Sequence, residues 1–150
     1  MSTDEHRGAG LRILALAALA LGATGSLALA DVVRIEALLS GAGEAPPTES
    51  AGAGRMEGSF DSETKMLAWT VAYSGLSSPA LSADFHGPAP PGEIAPIQVA
   101  TPGGLASPFH GSAKLDDAQA RDLMDGRWYF NLHSKKFPAG EIRGPVAVRR

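Results

Sequence analysis

The chain contains no cysteine. That excludes disulfide staples, thiolate metal ligands and cysteine nucleophiles, so a folded domain must rest on its apolar core alone. Aromatic residues make up only 6% of the 150 residues, whereas glycine and proline number 18 and 11. Few aromatics and many turn formers argue for short strands joined by tight turns rather than long helices. The net charge is −3. No basic footprint invites nucleic acid, and that partner is excluded. Nucleophilic catalysis finds no support either. There is no G-x-S-x-G, and Ser134 follows His133 directly, so in a strand the two side chains point to opposite faces. No glycine-rich loop leads into a helix in a way that would cradle phosphate. The length fits one domain.

The first thirty residues stand apart. Residues 1–12 are polar and carry Arg7 and Arg12, balanced by Asp4 and Glu5. ILALAALALGATGSLALA follows, apolar and small, and ends on Ala28-Leu29-Ala30. This order predicts a signal peptide over 1–30, cleaved before Asp31, and a mature domain over 31–150. The competing reading is an uncleaved anchor. Gly22, Thr24, Gly25 and Ser26 interrupt the apolar run and argue against a spanning helix. The expected location is therefore secreted or periplasmic, with no stable membrane span after cleavage.

The mature chain reads as strands and turns. Val32 to Gly41 alternates and closes on glycine. A Gly/Ala/Pro/Ser-rich surface loop follows. Residues 54–76 give two strands around a hairpin turn at Asp61-Ser62-Glu63-Thr64. In the second of them Leu67, Trp69, Val71 and Tyr73 share one face, and Met66, Ala68, Thr70 and Ala72 the other. Both faces are fairly apolar, which predicts a central strand. Further strands are expected at 81–86, 95–100, 108–115, 128–133 and 141–148. One helix interrupts them, in LDDAQARDLMDG. Asp116 is its N-cap, Gln119 completes a capping box, and Gly126 sits where a left-handed residue ends the helix. About eight short strands with frequent turns and one short helix define an all-β, antiparallel sandwich or barrel.

Alternation then collects polar residues. In Asp84-Phe85-His86, Phe85 points to the core and Asp84 and His86 point away. In Trp128 to His133, Trp128, Phe130 and Leu132 make the core face, and Tyr129, Asn131 and His133 the opposite one. Ile142 goes in; Glu141 and Arg143 go out. If these strands are neighbours, Asp84, His86, Asn131, His133, Glu141 and Arg143 form one patch, with Tyr129 beside it.

GAGEAPP, an alternating strand ending in SGL, FHGPAPPGE, a DAQ…L…G helix and WYFNLHS…FPAGEIRG together resemble the CHRD domain, named after chordin and common in secreted bacterial proteins. The resemblance spans Ile35 to Val146 and rests on the order of motifs. It implies an immunoglobulin-like, Greek-key sandwich and an extracellular module. The family usually shows His-x-His-Gly-Pro where this chain has Asp84-Phe85-His86-Gly87-Pro88. Its Asn-x-His matches Asn131-Leu132-His133, and Ala139 replaces the central glycine of PGGE.

Two functional readings follow. In the first, the protein is a secreted or periplasmic non-catalytic binding or structural module, its partner a protein, a glycan or a metal ligand. The polar patch is then a hydrogen-bonded sheet face, in which His86 and His133 bond to turn carbonyls, Glu141 pairs with Arg143 or Lys135, and Arg143 pairs a carboxylate such as Asp84. In the second, it is a copper or zinc protein, a carrier or dismutase-like. His86 and His133 are imidazole ligands, Asp84 is an oxygen ligand, and Glu141 is a ligand or stands behind one. His110 reads as a solvated edge residue, and Trp69 and Trp128 as core.

Overall fold

The computed structural model describes residues 31–149. The signal-peptide reading falls on residues 1–30 and lies outside the described residues. Strand β1 (Val32–Ser40) buries Val33, Ile35, Ala37 and Leu39, exposes Arg34 and Leu38 between them and leaves Glu36 half-buried. It pairs antiparallel along its whole length with β2 (Ala53–Asp61). A hairpin leads to β3 (Met66–Ser74). The Asp61 carboxylate accepts the N–H groups of Glu63 and Thr64 and so holds that turn. β3 pairs with β6 (Phe109–Lys114).

The remaining strands form a second half. β4 (Ala80–His86) lies between β5 (Ile97–Ala100) and β7 (Tyr129–Ser134), and β7 pairs with β8 (Ile142–Pro145). The strand order is β5-β4-β7-β8-β1-β2-β3-β6, one antiparallel, nearly closed, barrel-like sheet. Trp69 on β3 meets Phe85 on β4 edge-on, at 5.0 Å between ring centroids, although four strands separate them in that order. The sheet therefore folds on itself. Phe85 also packs against Phe130 at 4.8 Å and Trp128 at 5.8 Å, and these rings fill the space between the halves.

The halves join at a narrow seam, the single pair Ser40↔Arg143. Two glycines make it possible. A Cβ on Gly144 would stand 1.9 Å from the Leu38 carbonyl oxygen, and one on Gly43 would stand 2.2 Å from the Arg143 carbonyl oxygen. The last expected strand breaks just after Pro145, which has no N–H to donate. The chain resumes as β9 (Ala147–Arg149), paired with β1.

Helix α1 (Asp117–Met124) carries the expected capping box between Asp116 and Gln119. Gly126 follows at φ +70°. Leu123 is fully buried, Leu115 is buried just before the helix, and Met124 packs against the core. β3 is an interior strand, paired with β2 on one side and β6 on the other, but only one of its faces is covered: Met66, Ala68, Thr70 and Ala72 face solvent. Small residues such as alanine make a face look apolar while costing little when exposed.

Candidate metal centre

The second half of the sheet positions the polar patch. Asp84 pairs across to Asn131, and Asn131 to Arg143; His86 pairs with Tyr129, and Ser82 with His133. Strand parity puts these side chains on the face opposite Phe85, Phe130 and Ile142, as the alternation predicts. That face is not solvated. Asp84 and Asn131 are each 4% exposed, His86 8%, His133 9% and Arg143 4%.

Two loops roof it. From the first, residues 41–52, the Gly43 carbonyl accepts from Arg143 Nε at 2.6 Å, and Thr48 donates to the Glu141 carbonyl at 2.8 Å. From the second, residues 87–96, the Glu93 carbonyl accepts from Arg143 at 3.2 Å. The Ala95 peptide of the same loop makes two bonds to the face. Its carbonyl meets His86 Nδ1 at 2.9 Å, and its N–H donates to the Tyr129 hydroxyl at 3.1 Å. Arg143 thus bonds loop carbonyls where a pairing with Asp84 was expected. The loops bring main-chain acceptors closer than the cross-sheet carboxylate.

The histidines are oriented alike. His86 Nδ1 faces the Ala95 carbonyl, and His133 Nδ1 faces the Pro138 carbonyl at 3.1 Å. A carbonyl only accepts, so each Nδ1 carries a proton, and in the neutral ring Nε2 is left with a bare lone pair. Both Nε2 atoms are buried without a hydrogen-bond partner. Ligand atoms of Asp84, His86 and His133 all lie within 4.8 Å of one another, with His133 Nε2 3.7 Å from Asp84 Oδ2. Burial holds His86 below the ordinary imidazole pKa. The nearness of His133 and the Arg143 charge push the same way, while the Ala95 carbonyl and Asp84 oppose. The neutral, ligating form is therefore favoured. The His86 ring also stacks flat on Tyr129, with centroids 4.9 Å apart and planes within 1° of parallel. Arg143 lies over the Tyr129 ring at 4.4 Å.

Glu141 stands elsewhere. It is fully buried, and its carboxylate accepts from Ser50 at 2.6 Å and from the Ser77 N–H at 2.7 Å. Burial raises its pKa, but the donors Ser134, Ser50 and Ser77 outweigh that and hold it below the ordinary value. It clips two loops to β8 and is not in the Asp84/His86/His133 cluster. Trp69 and Trp128 are core residues, 2% and 1% exposed, and His110 is exposed on β6 opposite Thr70.

Sequence reasoning missed Glu44. It sits in a loop whose composition looks solvated, yet it is 7% exposed and hydrogen-bonded to Asn131. Burial pushes its carboxyl up to about 7, against the pull of the Arg143 charge and of hydrogen bonds from Ala45 and Asn131. The GAGEAPP stretch, conspicuous among the motifs, was the one available signal.

The fold and site are thus those of an all-β domain with a roofed polar face that holds two imidazoles and a carboxylate. Its family follows from a direct match: the model described as the CHRD domain covers residues 35–146, and the chain belongs to that family. The matched span holds every residue of the cluster. No curated protein and no solved structure matches the chain.

Proposed function

We propose that the protein is a secreted or periplasmic CHRD module, non-catalytic, whose ligand is a copper or zinc ion held by His86 Nε2, His133 Nε2 and the Asp84 carboxylate. One observation carries the reading: two buried imidazole nitrogens, each with its lone pair free and its other nitrogen fixed by a carbonyl, converge beside one carboxylate. Fixing Nδ1–H on a main-chain carbonyl is how proteins orient histidine for metal. Without an ion, each orphaned acceptor costs about 1–3 kcal/mol. Binding is favoured over catalysis because all three groups lie under loops. The broad groove of the molecule, about 1210 Å³ and lined by Arg34, Glu36, Arg55, Thr70 and His110, is on the outer face of the other half. Family membership supports an extracellular role, and the reading takes residues 1–30 as the removed signal. Among the described residues no helix is long and apolar enough to cross a membrane. The two halves, facing each other across aromatic rings and joined by one seam pair, support an immunoglobulin-like sandwich as the finer description of the fold.

The test is metal content. The mature chain, stripped with chelator and titrated with Zn(II) or Cu(II), binds one equivalent. His86→Ala and His133→Ala abolish it while circular dichroism stays unchanged. A wild-type chain that binds neither ion removes the reading.

A further inference from the structure

We propose that the side-chain oxygen of Asn131 is the fourth donor of this centre, completing a set of two nitrogens and two oxygens that selects a divalent ion over Cu(I). The inference rests on the metal reading above and says which further residue the ion touches. Asn131 is the direct cross-strand neighbour of Asp84, and it shares a face with His133 two residues on. Side chains directly opposite one another on one face lie about 4.5–5.5 Å apart at Cβ, within reach of a common ion.

Its amide is anchored at one end. Asn131 hydrogen-bonds the Glu44 carboxyl. Asn131 Nδ2 and both Glu44 carboxyl oxygens lie 2.7–2.8 Å from where a Cβ on Gly140 would stand. Gly140, at φ +131°, thus leaves the space in which nitrogen and carboxyl meet. Nδ2 and Oδ1 share one planar carbon, so fixing the nitrogen also fixes where the oxygen points. That oxygen is buried and has no hydrogen-bond partner.

Three orphaned acceptors therefore share one covered sheet face: Nε2 of His86, Nε2 of His133 and Oδ1 of Asn131. Buried acceptors without partners are uncommon, and one cation between them would satisfy all three together with Asp84. The donor types set the ion. Imidazole and oxygen donors suit Zn(II) and Cu(II), whereas Cu(I) prefers thiolate or thioether sulfur. Four donors close a tetrahedral shell, the mark of a site that holds its ion rather than one that turns over substrate.

The experiment uses Co(II) as a coloured stand-in for Zn(II), in the wild type, Asn131→Leu and Asn131→Asp. The wild type is expected to bind one Co(II) with an intense tetrahedral visible band. Asn131→Leu keeps the stoichiometry, binds at least about 10–100-fold more weakly and shows an altered band. Asn131→Asp, which restores an oxygen, restores the wild-type band. A leucine variant with unchanged band and affinity overturns the proposal. In the wild type itself, the side-chain carbonyl carbon resonance of Asn131 shifts on Zn(II) addition; a resonance that stays in place while the His86 and His133 signals move overturns it as well, even if the leucine variant fails to fold. A wild type that binds no ion defeats the metal reading instead, so the two failures are distinct.

Discussion

Replacing Glu44 by glutamine should flatten part of the pH dependence of stability. Burial raises the Glu44 carboxyl from 4.5 to about 7, although the Arg143 charge and two hydrogen bonds pull it down. Between those two pH values the native state holds a proton that the unfolded chain has lost. Stability must therefore fall as pH rises from about 4.5 through about 7, then level off. Each pKa unit is worth about 1.4 kcal/mol, so the whole window is worth about 3 kcal/mol. Glutamine stays neutral, fits the same space and still accepts from Asn131. The variant should match the wild type near pH 4.5 and exceed it by up to about 3 kcal/mol at pH 8. Urea unfolding at the two pH values, with chelator present, measures this. With a slope of about 1–3 kcal/mol per molar urea, the midpoints should separate by at least about 1 M at pH 8. His86 and Glu141 also titrate with shifted pKa values, but they are common to both proteins and cancel in the difference. Parallel pH profiles for the two proteins would refute the burial argument.

Other perturbations have equally definite outcomes. Zn(II) in hundredfold excess over its dissociation constant should stabilise the wild type by about 2.7 kcal/mol and leave His133→Ala unchanged, which a thermal melt with and without metal reads directly. Gly144→Ala should destabilise by about 3 kcal/mol or more, because the new methyl meets a main-chain oxygen at 1.9 Å that no rotamer change can move. A denaturant midpoint equal to the wild type would mean that the seam between the halves is looser than described.

What the sequence made legible was periodic or local. Phe85, Phe130 and Ile142 turn inward because strands alternate, and the same parity brings Asp84, His86 and His133 together. The helix could be read from Asp116, Gln119 and Gly126, since caps act within a few residues. Burial of the polar face was not legible. It depends on the carbonyls of Ala95, Pro138, Gly43 and Glu93, and main-chain groups leave no mark on side-chain pattern. Glu44 was hidden for a related reason: its loop is polar and turn-rich by composition and becomes a roof only through tertiary contact. The split of the last strand turned on Pro145, which the alternation passed over.

The covered face also constrains the apo protein. β7 is buried on both sides, with Phe130 and Leu132 on one and Asn131 and His133 on the other. An apolar outer face would have given the same burial without orphaned acceptors. Three of them at about 1–3 kcal/mol each amount to a large share of the roughly 5–15 kcal/mol that holds a small domain together. A sequence carrying that cost on the adjacent strands β4 and β7 is explained if an ion satisfies those acceptors. The metal-free chain should then be the marginal state, and the loops 41–52 and 87–96, which hold the face through Arg143 and Ala95, should exchange their amide protons faster without metal than with it. Equal exchange in both states would mean that the roof is held by its own hydrogen bonds, and that the polar face is a structural device that no ligand completes.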